Sequence, residues 1–337
     1  MTTDEKYINR CFELAANGLG TTYPNPLVGC VIVKNDSILA EGWHRKAGEP
    51  HAERMAISRV SNPSDLIGAT AYVSLEPCSH HGRTPPCADL LISSKIGRVV
   101  ISNSDRNPKV SGRGIERLRN AGIQVDTDVL REQGEWINRR FFHYQRTRKP
   151  YVILKWAESS DGFIDVIRNG NLGSHQISGA DSSRWVHQWR SQEQAIAVGK
   201  QTVINDNPSL TTRKWVGSDP VPVVIAFRDD VLDRKLSSRK DALWLDDLGF
   251  NPQSENPSWD EILGKLGKKE VNSLLVEGGR AVLDELLKTN QWNEIRRLVS
   301  KKKQIHQGLK APDLGQISVA ACYENADDQL FIYTSAS

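Results

Sequence analysis

The chain is poor in cysteine. Its 337 residues hold five: Cys11, Cys30, Cys78, Cys87 and Cys322. So few thiols in so long a chain exclude a disulfide scaffold, and in a reducing compartment a close pair of cysteines points to a metal or to catalysis. Long apolar runs are missing too. None approaches the roughly 18 to 20 residues that span a bilayer, and the opening MTTDEKYINR lacks the basic-then-apolar order of a secretory signal. The expected location is the cytoplasm, with no membrane partner. Neither sign of charge dominates: 44 basic residues stand against 41 acidic ones, for a net charge of +3 and a pI near 8.5. That balance argues against a nucleic-acid partner, whose binding domains show clustered charge and a pI above about 9. Repeats and low-complexity tracts are absent, and no G-x-G-x-x-G occurs, so a Rossmann dinucleotide site has no support.

What is present reads as two domains of ordinary size. Thr2 and Glu5 form a capping box for a first helix with Ile8, Cys11, Phe12 and Ala15 on one face, ended by Gly18 and Gly20. VGCVIVKNDSILAEGW reads as a hairpin turning at Lys34-Asn35-Asp36. A second helix is expected from Pro50, burying Ala52, Met55, Ala56 and Val60. Strand TAYVSLEP, a helix from Pro86 to Lys95, strand RVVIS, helix GIERLRNAG, strand IQVDTDV and one helix through LREQGEWINRRFFHYQ follow, an alternation that implies a layered α/β sheet. RTRKP at 146–150 closes this unit, because Pro150 disfavours helix before it. The second half alternates as well. YVILKWA, AIAVG, PVVIAF and NSLLVEGG are short apolar runs suited to the centre of a mixed sheet, with DSSRWVHQWRSQ and AVLDELLKTN as helices between them. Lys301-Lys302-Lys303 reads as a solvated loop or strand edge.

His51-Ala52-Glu53 upstream of Cys78 and Cys87 gives the cysteine pair its meaning. One imidazole and two thiolates supply three ligands to Zn²⁺ and leave a fourth position for water, the open arrangement of a catalytic site. Two thiolates cancel the charge of the ion and activate water less than three imidazoles do, so a carboxylate must handle the proton. Glu53 is that candidate. Residues i and i+2 diverge by about 200° on a regular helix, so His51 is expected in the first turn, where it can be turned back toward Glu53. The pattern matches the H-x-E…P-C-x-x-C signature of zinc nucleobase deaminases, except that eight residues separate the cysteines instead of two. His80 or His81 is the alternative to Cys87 as third ligand. Cys11 and Cys30 read as small core residues, and Cys322 carries no message.

TTYPNPLVGCVIV, GWHRKAGEPHAE, SLEPCSHHGRTPPC and NPKVSGRG together resemble the deaminase half of the bifunctional riboflavin-biosynthesis enzymes. These join a diaminohydroxyphosphoribosylaminopyrimidine deaminase to a 5-amino-6-(5-phosphoribosylamino)uracil reductase. The resemblance covers essentially all of residues 1–146, and the long loop between the cysteines is peculiar to that family among zinc deaminases. It implies a cytidine-deaminase-like three-layer α/β/α domain over 1–146, with His51, Cys78 and Cys87 as ligands and Glu53 as proton shuttle. It also carries substrate contacts onto Asn25, His44, Arg83, Asp105 and Asn107. Arg83, often lysine in the family, can hold a phosphate through two donors. Asn25 and Asn107 each precede a proline and have the plainer reading of turn starters.

LKWAESSDG, ISGADSSRWVHQWR, AIAVGKQTVINDNPSLTTR and LLVEGGRAVLDELL resemble the reductase half. They imply a dihydrofolate-reductase-like α/β domain over 150–337 with NADPH as hydride donor. The resemblance places Lys155 as catalytic residue. It puts Ser178, Arg190, Asp206, Arg213 and Glu277 toward the substrate, and Ala157, Gly199, Thr202, Gly278 and Gly279 toward the cofactor. The plainer reading of Lys155 is a solvated charge at a strand end. Gly278-Gly279, after a strand and before a helix, would let the helix N-terminus meet a cofactor phosphate. Gln176, Pro222, Ala226 and Asp165 depart from the family pattern and put the cofactor contacts in doubt more than the fold. The whole implies zinc-dependent hydrolytic deamination of 2,5-diamino-6-ribosylamino-4(3H)-pyrimidinone 5′-phosphate, then NADPH-dependent reduction of the ribosyl to a ribityl chain, by a homo-oligomer. The rivals are a deaminase with a degenerate, structural second half, and an editor of bases flipped out of nucleic acid.

Overall fold

The computed structural model describes residues 1–337 apart from 80–84, 105–111, 171, 254–256 and 336–337. It divides into two compact units, Met1–Thr147 and Arg148–Ser337. No helix among the described residues is long and apolar enough to cross a membrane.

In the first unit, α1 (Thr3–Ala16) carries the expected capping box and buries Ile8, Cys11, Phe12 and Ala15. β1 (Gly29–Lys34) and β2 (Ser37–Trp43) form the antiparallel hairpin. Asn35 and Asp36 both adopt positive φ (49° and 56°), the two-residue turn that matches strand twist. Then follow α2 (Ala52–Ile57), β3 (Thr70–Leu75), α3 (Cys87–Ser93), β4 (Arg98–Asn103), α4 (Arg113–Asn120), β5 (Gln124–Asp126), α5 (Arg131–Ile137) and α6 (Arg139–Thr147). The sheet runs β2-β1-β3-β4-β5, antiparallel on the hairpin side and parallel across β3, β4 and β5. Successive strand residues point to opposite faces. Cys30, Ile32, Ala71, Val73, Val99 and Ile101 therefore pack against α2, α3 and α4, while Val31, Val33, Tyr72 and Val100 pack against α1. Two filled faces make the three-layer α/β/α domain. Ile8, Leu91, Ile101 and Leu118 are fully buried, each stabilising by roughly 1.5 to 3 kcal/mol relative to exposure.

Two element readings are corrected. α2 stops at Ile57, so Val60 lies beyond it. The helix expected through LREQGEWINRRFFHYQ is two helices, broken at Asn138. That side chain is buried and turned to the backbone of Leu27, accepting its N–H at 2.8 Å and donating to its carbonyl at 2.9 Å. This tertiary bond overrides the helical periodicity.

The second unit holds β6 (Tyr151–Glu158), β7 (Phe163–Val166), α7 (Ala180–Gln192), β8 (Ala195–Gly199), α8 (Lys200–Asp206), β9 (Val221–Ile225) and β10 (Leu243–Trp244). These are followed by α9 (Trp259–Lys268), β11 (Ser273–Val276), α10 (Arg280–Lys288), β12 (Glu294–Ser300), β13 (Gly308–Lys310), β14 (Ala321–Glu324) and β15 (Asp328–Thr334). The main sheet runs β10-β9-β8-β11-β6-β12-β15-β14, and β7 pairs with β13. The four apolar runs expected at its centre are its central strands. The six strands from β10 through β12 in this order are mutually parallel, and β15 runs antiparallel to both its neighbours, β12 and β14. α9 and α10 cover one face through Ile262, Leu266, Leu283 and Leu286. α7 and α8 cover the other through Val186, Trp189 and Val203. Neighbouring strands β8 and β11 thus send their helices to opposite faces, and the carboxyl ends of such a pair are the place where open α/β sheets bind ligands.

Candidate active sites

In the first unit, Cys78 follows β3 and Cys87 opens α3. His51 is the N-cap of α2, with extended backbone (φ −69°, ψ 163°). It is not in the first turn as expected, and lying outside the helix frees it from the helical angle to Glu53. Its Nδ1 stands 3.5 Å from Cys78 Sγ and 3.4 Å from Cys87 Sγ. The three ligand atoms lie within 4.8 Å of one another. Tetrahedral zinc with Zn–S near 2.3 Å and Zn–N near 2.0 to 2.1 Å has S···N edges of roughly 3.6 Å, so the donors already stand at the corners of a zinc site. Among the described residues no fourth His, Cys or carboxylate joins them; His80 and His81 lie outside those residues.

The electrostatics favour a thiolate at Cys78. Cys87 N–H donates to Cys78 Sγ at 3.3 Å. The hydrogen bond shared with Cys87, and then His51, bring the Cys78 thiol down to about 4, while that sharing and burial push Cys87 up. The bond to Cys78 raises His51. Glu53 is 3% exposed, and burial with the Cys78 sulfur beside it pushes its carboxyl up to about 7. His44 packs edge-on against His51, ring centroids 5.4 Å apart. Its Nδ1 is 3.2 Å from the Pro50 carbonyl and its Nε2 is 3.1 Å from Asn25 Nδ2. A carbonyl only accepts, so His44 carries its proton on Nδ1 and accepts from Asn25 at Nε2. Burial lowers its pKa and keeps it neutral.

In the second unit, Glu277 leaves the end of β11 and takes a two-pronged ion pair from Arg190 of α7. Arg190 Nε donates to Oε1 at 2.8 Å and Nη2 to Oε2 at 2.7 Å. Burial opposes the charge on Glu277, yet Arg190 and Lys155 outweigh it and hold the carboxyl at about 2. Burial lowers the Lys155 ammonium against the pull of Glu277. His187, one turn before Arg190, is 3% exposed with its Nδ1 unpartnered. Burial, then Arg190 and Arg213, push it down to about 4. At the carboxyl ends of β8 and β11, Gly199 N–H donates to the Gly278 carbonyl at 2.9 Å. A Cβ on Gly279 would come within 3.0 Å of Thr202 Oγ1, and Gly278 has φ of 106°, open to glycine and few others.

Residues 1–103 match the family model of the cytidine and deoxycytidylate deaminase zinc-binding region, and residues 150–300 match that of the RibD C-terminal domain. The riboflavin biosynthesis protein RibD of Actinobacillus pleuropneumoniae is 40% identical, covering 93% of this chain and 88% of its own. That of Escherichia coli K12 is 36% identical over 89% of this chain and 88% of its own. The chain belongs to the RibD family of riboflavin biosynthesis proteins. A crystal structure from Thermotoga maritima, of a diaminohydroxyphosphoribosylaminopyrimidine deaminase/5-amino-6-(5-phosphoribosylamino)uracil reductase, superposes with a TM-score of 0.88 at 34% identity, covering 99% of each chain. Acinetobacter baumannii RibD does so with a TM-score of 0.87 at 31% identity, again over 99% of each. The protein is thus a RibD-type enzyme with a zinc-binding deaminase region followed by the reductase domain of that family.

The fold gathers His51, Cys78, Cys87, Glu53, His44 and Asn25 in one place; Arg83, Asp105 and Asn107 lie outside the described residues. It gathers Lys155, Arg190 and Glu277 in a second place and Gly199, Thr202, Gly278 and Gly279 in a third. Ala157 lies late in β6 and Ser178 just ahead of α7. Arg213 is exposed, with Nη1 3.4 Å from Thr211 Oγ1. Asp206 ends α8 and is taken by Arg168, whose Nη2 donates to it at 2.7 Å while Nε donates to Asp165 at 2.6 Å. The unusual Asp165 therefore serves to hold Arg168. Gln176 Nε2 donates to the Ser178 carbonyl at 3.1 Å, Pro222 sits inside β9, and Ala226 is buried just past it. Each lysine of the 301–303 run has a partner: Glu324, Asp327 and the Gln176 carbonyl. Sequence reasoning missed Arg168 and His187. His187 stands three residues before Arg190, a helical spacing that was its only signal.

Proposed function

We propose that the first unit deaminates 2,5-diamino-6-ribosylamino-4(3H)-pyrimidinone 5′-phosphate by hydrolysis and that the second reduces the ribosyl chain to ribityl with NADPH. The observation that carries this reading is the His51–Cys78–Cys87 cluster beside the buried Glu53 carboxyl. Similarity over 99% of the chain to a structure named for both activities supports it. Bound zinc would be held by His51, Cys78 and Cys87 and supply the Lewis acidity that makes water a nucleophile at neutral pH. Glu53 takes the proton as water adds to the amino-bearing carbon and passes it to the ring nitrogen, then takes the second proton from the new hydroxyl and delivers it to the amino group as the carbon–nitrogen bond breaks and ammonia leaves. His44 fixes Asn25 so that its amide oxygen is left to accept from a substrate N–H. Arg83, Asp105 and Asn107 complete the substrate contacts in this reading, with Arg83 on the phosphate.

NADPH would supply the hydride to C1 of the opened ribose. The carboxyl ends of β8 and β11 are its place in this reading: Gly278 and Gly279 lead into α10, whose first-turn N–H groups suit a phosphate, and Gly199, Thr202 and Ala157 are the further cofactor contacts. Lys155, its pKa lowered by burial, stands ready to give the proton that accompanies the hydride, and Glu277, fixed by Arg190, orients it. Ser178, Arg213 and Asp206 are the remaining substrate contacts in this reading. The buried free thiols Cys11 and Cys30 support a reducing, cytoplasmic setting, and a homo-oligomer is part of the same reading. The test is product mass. Zinc-loaded protein given the diaminopyrimidine nucleotide exchanges amino for oxo without NADPH, and the product gains two hydrogens once NADPH is added. An unchanged substrate sinks the first assignment; deamination with no later gain of hydrogen makes the second half a scaffold.

A further inference from the structure

Glu76 has no part in the chemistry above, yet it is a carboxyl only 4% exposed, two residues before Cys78. Its oxygens reach across to the start of α4: Oε2 accepts Gly112 N–H at 3.0 Å, and Oε1 accepts Gly114 N–H at 2.9 Å and Ile115 N–H at 3.3 Å. Its own N–H donates to the Asn103 carbonyl at the end of β4 at 2.9 Å. A carboxylate on the orphan N–H groups and positive end of a helix is stabilising. A cap is normally supplied from the adjoining residues; this one comes from 36 residues earlier, at the root of the metal loop.

The seating of α4 reaches both sulfurs. Gly114 lies so close to the metal loop that a Cβ on it would stand 2.1 Å from the Pro77 carbonyl oxygen. One turn later, Arg117 Nη1 donates to the Ser79 carbonyl at 3.4 Å, beside Cys78. Its Nε meets Asp89 at 2.6 Å on α3, the helix that Cys87 opens. α4 therefore braces the Cys78 loop on one side and the Cys87 helix on the other, and Glu76 pins the brace. We infer that Glu76 is a positioning residue of the zinc site, holding α4 so that Cys78 and Cys87 keep ligand spacing. The inference rests on the zinc reading above and adds a residue to it.

Groups that orient metal ligands typically change affinity by about 10- to 100-fold when removed. The test is zinc release from the purified full-length protein to a chromogenic chelator, which needs no turnover. E76A is expected to release zinc at least about 10-fold faster than wild type. E76Q should fall between, since its amide oxygen still accepts from Gly114 and Ile115 while its NH₂ faces Gly112 N–H. G114A, with Glu76 intact, should accelerate release through its clash with Pro77. In deamination, E76Q should lower kcat more than it changes KM. Wild-type release rates in E76Q and G114A, with only a lower melting temperature, would reduce Glu76 to a helix cap and overturn the inference, whether or not E76A folds. Wild-type protein that holds no zinc sinks the functional reading and this inference together; zinc-holding wild type with unaffected variants sinks this inference alone.

Discussion

Glu53 and Glu277 are both buried carboxyls, and their neighbours push them opposite ways. Burial, with a sulfur beside it, lifts Glu53 to about 7, whereas Arg190 and Lys155 overcome burial and hold Glu277 at about 2. Environment, not residue type, suits the one to proton transfer and the other to a fixed charge. E53Q keeps the shape and removes the proton carrier, so deamination should fall at least about 100-fold with zinc content by atomic absorption unchanged. Loss of zinc together with activity would instead make Glu53 a structural support. His187 makes a pH prediction. Its folded pKa of about 4 lies below its ordinary 6.5, so the unfolded chain binds the proton first, and stability is lost as pH falls from 6.5 toward 4. Urea midpoints for H187N should fall less than those of wild type between pH 7 and pH 5; parallel curves would refute the assignment. The Glu277 contribution has its own window: it is present above pH 4.5 and lost on the way to about 2. The His51–Cys78–Cys87 cluster was legible because the types and order of its residues are diagnostic by themselves. Arg168 and Glu76 were not, because their partners stand 38 and 36 residues away.

At the scale of elements, periodicity succeeded where one face of a segment meets the core. It failed where a single polar side chain has a distant partner. α1 and the β1–β2 hairpin are as expected because capping, apolar spacing and turn chemistry agree. β12 was passed over because it buries charge: Arg296 pairs with Glu294 at 2.7 Å and Glu193 at 3.6 Å inside the unit, so its run does not read as apolar. Asn138 separates α5 from α6 for the sake of Leu27, and N138A would leave the buried N–H and carbonyl of Leu27 without those bonds. Each buried unpaired group costs about 1 to 3 kcal/mol, so N138A should lower the unfolding free energy by roughly 2 kcal/mol or more in guanidinium titrations. A change below about 0.5 kcal/mol, the scale of an ordinary surface substitution, would show that helix continuity can replace the Leu27 bonds.

At the scale of the molecule, the two units carry separate sets of groups: a cysteine and imidazole cluster in the first, glycines at the ends of β8 and β11 and an Arg190–Glu277 pair in the second. A strong zinc chelator should therefore abolish deamination while leaving NADPH-dependent reduction of the supplied deaminated nucleotide within about two-fold of its rate. Parallel loss of both would tie the second activity to the metal. The sequence by itself determined the family, the residue types of the His51–Cys78–Cys87 cluster, the alternation of strands and helices and the central apolar strands, because these depend on local spacing and residue chemistry. Only the tertiary structure decided that His51 stands outside its helix, that Asp206 is bound to Arg168, that Glu76 pins α4 beside the cysteines, and that β8 and β11 send their helices to opposite faces. Each of these depends on which distant backbone and side-chain groups come within hydrogen-bond reach, a distance that no local pattern along the chain encodes.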